Sequence, residues 1–179
     1  MSEILAESFQ HIRSLARDID RKLDGVSAAD QRLSNEIAGM FAVTIAASYE
    51  GIVKETLIQY SGQFHTKYKE YIEKDFEKSN ARISISDLKN YSRKFGLREW
   101  TGIRVKKNST TFHKALSEKR VIVERRFRTD MITNYENIFS WRNAYAHERA
   151  TVATFSDVYK AHRVAQYVIR SFVSAFELG

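Results

Sequence analysis

The sequence predicts an all-α fold on three observations. Proline is absent from all 179 residues and glycine occurs only seven times, so the strongest helix breakers are nearly missing. Lysine, glutamate, alanine, leucine and arginine are frequent, and they favour helix over strand. Apolar residues recur every three or four positions over long stretches, the period of a helix lying on a core. No stretch has the composition of a linker, so residues 1–179 read as a single helical domain.

The elements follow in order. In residues 2–23, Ile4, Leu5, Phe9, Ile12, Leu15, Ala16, Ile19 and Leu23 form one stripe, and "GVS" breaks it with Ser27 as the cap of the next helix. From Ala28 a very long helix carries Leu33, Ile37, Met40, Phe41, Thr44, Ile45, Ser48, Tyr49, Ile52, Val53, Leu57 and Tyr60 on its inner side, bending at Gly62. A polar helical continuation runs to about Asn80. "RISIS" alternates like a short strand, but Ser86 followed by "DLKNYSRKFG" reads better as a capped helix closed by Gly96. "REWTGIRVKKNSTT" reads as loop or short turns, and residues 75–110 as an insertion within the domain. From Phe112 to Tyr145 the inward set is Leu116, Val121, Val123, Phe127, Met131, Ile132, Tyr135, Ile138, Phe139 and Ala146, with a join between two helices expected near Lys119 and Arg120. Thr154 or Ser156 caps a last helix over 157–177, where Val158, Ala161, Val164, Ala165, Val168, Phe172 and Phe176 face inward.

Composition excludes several chemistries. Without cysteine there is no disulfide, no thiolate nucleophile and no sulfur-ligated zinc. His11, His65, His113, His147 and His162 never fall as a pair within four residues, no acidic loop has calcium-binding spacing, and no glycine-rich phosphate loop occurs. No metal and no cofactor are therefore expected. The N-terminus lacks the basic start and apolar centre of a signal peptide, and polar residues interrupt "IAGMFAVTIAASYEGIV", so a cytoplasmic protein without a membrane span is expected.

The net charge is +7, and its placement says more than its size. Leu97 to Arg128 holds ten Lys or Arg against three Asp or Glu, whereas the remaining residues balance at nineteen of each sign. Such a block suits phosphate docking through counterion release, or is simply a solvated basic face. Its candidates for RNA contact are Lys106, Lys107, Lys119, Arg120, Arg125, Arg126 and Arg128. Arg125 and Arg128 share a helical face, as do Lys119 and Arg126 if that helix is continuous.

The chemistry-bearing cluster is "WRNAYAHE", Trp141 to Glu148. Arg142 offers a permanently charged fork to phosphate oxygens, and His147 can take or give a proton near neutral pH. Cleavage of RNA by its own 2′-hydroxyl needs both functions. On a regular helix Asn143 and His147 share a face, but Arg142 and His147 lie about 140° apart. Either the helix loosens near Ala146, or two copies of the segment meet across a twofold axis and pool their residues. A helix end with pairing charges is the structural alternative for the same residues. His11, His65, His113 and His162 read as surface or partly packed side chains, and Trp141 and Tyr145 as core or dimer-contact aromatics, Tyr145 also being able to stack a base.

"RNAYAH" resembles the R-polar-x-x-x-H signature of the HEPN superfamily, and "ASYEGIVKETL" resembles the residue-then-Glu pattern of its RiboL-PSP type. The resemblance implies a HEPN-like helical bundle and a metal-independent endoribonuclease of toxin–antitoxin or defence systems. It implies that Arg142 contacts the scissile phosphate, His147 handles the proton, and Asn143 orients them. Glu50, Tyr145 and Glu148 are auxiliary candidates, Glu148 as a carboxylate that raises the histidine's proton affinity. The expected partners are single-stranded or looped RNA, with tRNA implied by the resemblance alone, an antitoxin or defence-system protein, and, from the motif spacing, a second copy of the chain. The rival expectation is a helical dimer that binds RNA or a partner protein without cutting.

Overall fold

The computed structural model describes residues 2–23, 31–78, 83–101, 104–148 and 153–177, with side chains left out at residues 2, 23, 31–32, 78, 98–101 and 104–110. The described elements are α1 (Ser2–Leu23), α2 (Gln31–Gly62), α3 (Thr66–Lys78), α4 (Ile85–Lys94), β1 (Arg98–Thr101), β2 (Arg104–Thr110), α5 (Thr111–Phe127), α6 (Met131–Glu148) and α7 (Phe155–Glu177). The fold is an all-α bundle decorated by one antiparallel hairpin. The expected caps at Ser27 and the helix end at Asn80 lie outside the described residues, as do the side chains of Lys106 and Lys107.

The bundle is built on α7, which packs against α2, α5 and α6, while α2 also packs on α6 and α3. All seven inward residues expected for α7 are buried. Helix α1 lays Leu5, Phe9, Ile12 and Ala16 onto this core, as its stripe predicts. The 32-residue α2 is different. Phe41, Ile45, Tyr49, Ile52, Val53 and Leu57 are buried, but Leu33 and Met40, expected inward, are 52% and 59% exposed. The expectation of no membrane-span-like run also needs correction, since Leu33–Gly62 is long and apolar enough to cross a membrane. Half of that window is buried inside the bundle, so core packing accounts for much of its apolarity.

Three local expectations are corrected. The segment read as loop or turns forms the β1–β2 hairpin, with Trp100 opposite Val105 and an irregularity between Arg98 and Trp100. Its β-prone Trp100, Thr101, Val105 and Thr110 flank Gly102, a hairpin pattern hidden by interleaved charges. Second, α4 is capped by Ser84, two residues before the expected Ser86. The Ser84 hydroxyl accepts from Asp87 N–H, and the Asp87 carboxylate accepts from Ser84 N–H, a reciprocal capping box. Gly96 closes that helix as expected, with φ of 73°.

Third, α5 continues through Lys119 and Arg120 to Phe127, so Val123 turns inward and Val121 and Ile122 are exposed. The break falls where Arg128 adopts a left-handed φ of 56°. Asp130 then starts α6 by accepting from Thr133 N–H at 2.8 Å, and Arg120 donates to the same carboxylate at 2.7 Å. The Thr133 and Arg120 bonds hold the Asp130 carboxyl below its ordinary range against the opposing effect of burial. At the start of α7 the expected Thr154 is the cap, in a second reciprocal box with Asp157.

His162 departs most from its expected place. It is 1% exposed, and its Nδ1 shares a 2.9 Å hydrogen bond with Tyr49 Oη. Burial, helped by the Arg13 and Arg170 charges, pushes its pKa down to about 3. A histidine held neutral in the fold contributes stability fully above its unfolded pKa near 6.5, and that stability is lost as pH falls toward the folded value. Urea unfolding from pH 7.5 to 4.5 therefore should show stability falling below about pH 6.5, with a shallower fall in His162→Leu. An identical pH dependence in the two proteins would refute the buried, neutral histidine.

Candidate active site

The site grows from the buried aromatic cluster around Tyr49. The Tyr49 ring stacks on Tyr135 of α6 with centroids 5.9 Å apart, and Phe9 of α1 meets its edge at 6.1 Å. Tyr135 donates its hydroxyl hydrogen to Ile83 O at 2.6 Å, which ties the chain leading into α4 against α6. Burial first, then the Glu50 and Asp87 charges, raises the Tyr135 pKa well above its usual value, so the phenol stays a donor. On the next residue of α2, Glu50 reaches across to α6.

Arg142 lies seven residues beyond Tyr135 on α6, two helical turns along and nearly on the same face. Its Nη2 donates to Glu50 Oε1, and its Nη1 donates to Asn143 Oδ1 at 3.2 Å. The guanidinium also lies 5.9 Å from the Phe139 ring centroid, within cation–π range. Its side chain is 34% exposed, and that of Glu50 is 20% exposed. The arginine is thus held in one orientation while part of its donor fork still faces solvent.

Beside this pair opens a cleft of about 500 Å³. One wall is α6, through Tyr135, Glu136, Phe139, Ser140, Arg142 and Asn143, and the facing wall is Ile83, Ser84 and Ile85. Glu50 completes it. Residues 75–110, read from sequence as an insertion, therefore supply a wall of this cleft.

The continuity of α6 through Glu148 removes one of the alternatives left open by the motif spacing. The helix does not loosen at Ala146. His147 is exposed and follows Glu136, Ser140 and Asn143 along the outer row of α6, but the cleft ends at Asn143 and does not include it. Tyr145 is held elsewhere: it donates to Glu36 Oε2 at 2.8 Å and lies over Gly39. Glu148 is exposed at the helix end, and Ala146, expected inward, is exposed too.

The structure thus joins Arg142, Asn143 and Glu50, and leaves His147, Tyr145 and Glu148 at the end of α6. Among the basic candidates, Lys119, Arg125 and Arg126 are exposed on α5, Lys119 and Arg126 on one continuous helix. Arg128 has left the helix, so its expected shared face with Arg125 does not form, and Arg120 is committed to Asp130. Sequence reasoning missed Tyr135, Phe139, Ser140 and Glu136 as cleft residues. Their signal was the row spacing back from Arg142 and Asn143.

A Cβ on Gly39 would lie 2.1 Å from the Tyr145 ring. Gly to Ala within a helix ordinarily stabilises by up to about 1 kcal/mol, but here the ring must be displaced, at a cost of about 1–3 kcal/mol. Gly39→Ala is expected to lower the urea midpoint, and Gly39→Ala with Tyr145→Ala to recover it. A single substitution that stabilises would contradict the close approach.

No curated protein and no solved structure matches the chain significantly. A family model does, over residues 6–178, which takes in both the Glu50 segment of α2 and the whole of α6. With the arginine, its glutamate partner and the late histidine all inside that match, the chain belongs to the RiboL-PSP-HEPN family.

Proposed function

We propose that the protein is a metal-independent endoribonuclease whose active site is assembled from two copies of the chain. The observation that carries this reading is the separation of Arg142 and His147 on one unbroken helix. HEPN domains are often ribonucleases, and this family membership supports RNA as the substrate class. Arg142, oriented by Glu50 and Asn143, supplies positive charge to the phosphorane formed when the 2′-hydroxyl attacks its own phosphate. His147 takes the proton from that hydroxyl and returns one to the departing 5′-oxygen. The products are a 2′,3′-cyclic phosphate and a 5′-hydroxyl fragment.

Two features support a homodimer. His147 and Ala146 are exposed at the end of α6, where Tyr145 anchors that end to α2 at Glu36 and Gly39. The same part of α2 exposes Leu33, Met40 and Val43, an apolar stripe beside the motif. A twofold contact through this stripe would set the His147 of one copy against the Arg142 of the other. A toxin or defence role, with a neutralising partner protein, extends the same reading. The rival, a dimer that binds RNA without cutting, draws on the fact that Arg142 is already neutralised by Glu50.

Purified protein in EDTA is expected to cut single-stranded RNA, to spare the matched DNA, and to lose at least about 100-fold in rate on His147→Ala. Cleavage that requires a divalent metal, proceeds on DNA or survives His147→Ala would contradict the mechanism. Salt-sensitive binding without products would favour the rival.

A further inference from the structure

The cleft beside Arg142 has a composition that phosphate binding alone does not require. Its volume of about 500 Å³ is in the range of pockets that enclose a small organic ligand. Its walls pair the Phe139 ring with the apolar Ile83 and Ile85, surfaces suited to the faces of a flat heterocycle. Glu50 is neutralised by Arg142, but Glu136 is exposed at the cleft and makes no ion pair or hydrogen bond among the described residues. A site for phosphate alone would gain nothing from a second, uncompensated carboxylate.

From this juxtaposition we infer that the cleft is a nucleobase pocket, and that Glu136 selects an edge presenting two adjacent donors, which among the RNA bases is guanine. The inference rests on the proposed RNA substrate and names the base next to the phosphate held at Arg142. An ionised carboxylate only accepts, so it can take N1–H and N2–H of guanine together. Adenine and cytosine offer one amino group flanked by a ring acceptor, which the carboxylate repels, and uracil offers one imide N–H flanked by carbonyls. Ser140, on the same row of α6 one turn further on, gives a hydroxyl that can donate to the guanine carbonyl or the ribose. Stacking against Phe139 would be available to every base, so affinity and selectivity separate: the ring and Arg142 provide the first, Glu136 the second.

The test measures binding of 3′-GMP, 3′-IMP, 3′-AMP, 3′-CMP and 3′-UMP by calorimetry to the wild-type protein and to Glu136→Gln, with no cleavage involved. 3′-IMP differs from 3′-GMP by the missing 2-amino group. The expected result is about 10-fold tighter binding of 3′-GMP than of the other four, with the preference abolished in Glu136→Gln. Because Glu136 is exposed, the variant is expected to keep the wild-type melting temperature, which shows that the loss is not unfolding. Equal binding of all five nucleotides, no binding of any, or a guanine preference that survives Glu136→Gln would overturn the inference. Selective, Glu136-dependent binding by a protein that never cuts RNA would uphold the pocket and sink the nuclease. Cleavage that depends on His147 but ignores base identity would do the reverse.

Discussion

The hydrogen bond between Tyr49 and His162 is the contact on which the rest of the arrangement depends. It joins α2 to α7 inside the core, and the same tyrosine stacks on Tyr135 of α6 and meets Phe9 of α1. Four helices are thus referenced to one buried side chain. A polar pair at such depth tolerates little displacement, because either partner alone would leave an unsatisfied group in an apolar interior. Tyr135 passes the constraint onward through its bond to Ile83 O. The α4 entry is tied into this network at Ile83, and Glu50 and Arg142 take their places on the helices it holds together.

The helical repeat then divides the motif. Tyr135, Phe139 and Arg142 recur on the row nearer α2, whereas Glu136, Ser140, Asn143 and His147 form the outer row, and the cleft takes in both rows as far as Asn143. Staying unbroken, α6 holds the arginine rigidly, and only by loosening could it bring it round to the histidine. Rigidity is what the Glu50 and Phe139 contacts provide. On the proposed reading, the missing proton carrier comes from a second copy, and the exposed Leu33, Met40 and Val43 are the apolar surface that copy would cover.

Much of the fold was legible because burial imposes period. The stripe of α7 and that of α1 up to Ile19 matched their buried faces, the Leu23 side chain lying outside the described residues, and Gly96 and Thr154 ended or began helices where local chemistry required it. Leu33 and Met40 were misplaced because an apolar residue facing outward on a long helix carries the same letter as one facing inward. His162 was misread although it lies four residues after Val158 and three before Ala165, on the buried face. Its partner Tyr49 is 113 residues away, and no local pattern encodes that meeting. At the site, the identity of Arg142, Asn143 and Glu50 could be read from the motif and its resemblance. The cleft could not, since its second wall comes from residues 83–85, whose approach depends on tertiary contact through Tyr135.

The central claim is that Arg142 of one copy works with His147 of the other, and complementation between dead chains tests it most directly. Arg142→Ala and His147→Ala chains, carrying different tags, are coexpressed and the mixed dimer is isolated by both tags. One of its two composite sites then keeps Arg142 from one chain and His147 from the other, so the mixed dimer should recover about half of wild-type RNA cleavage while each parent stays inactive. A mixed dimer no more active than its parents would contradict the account.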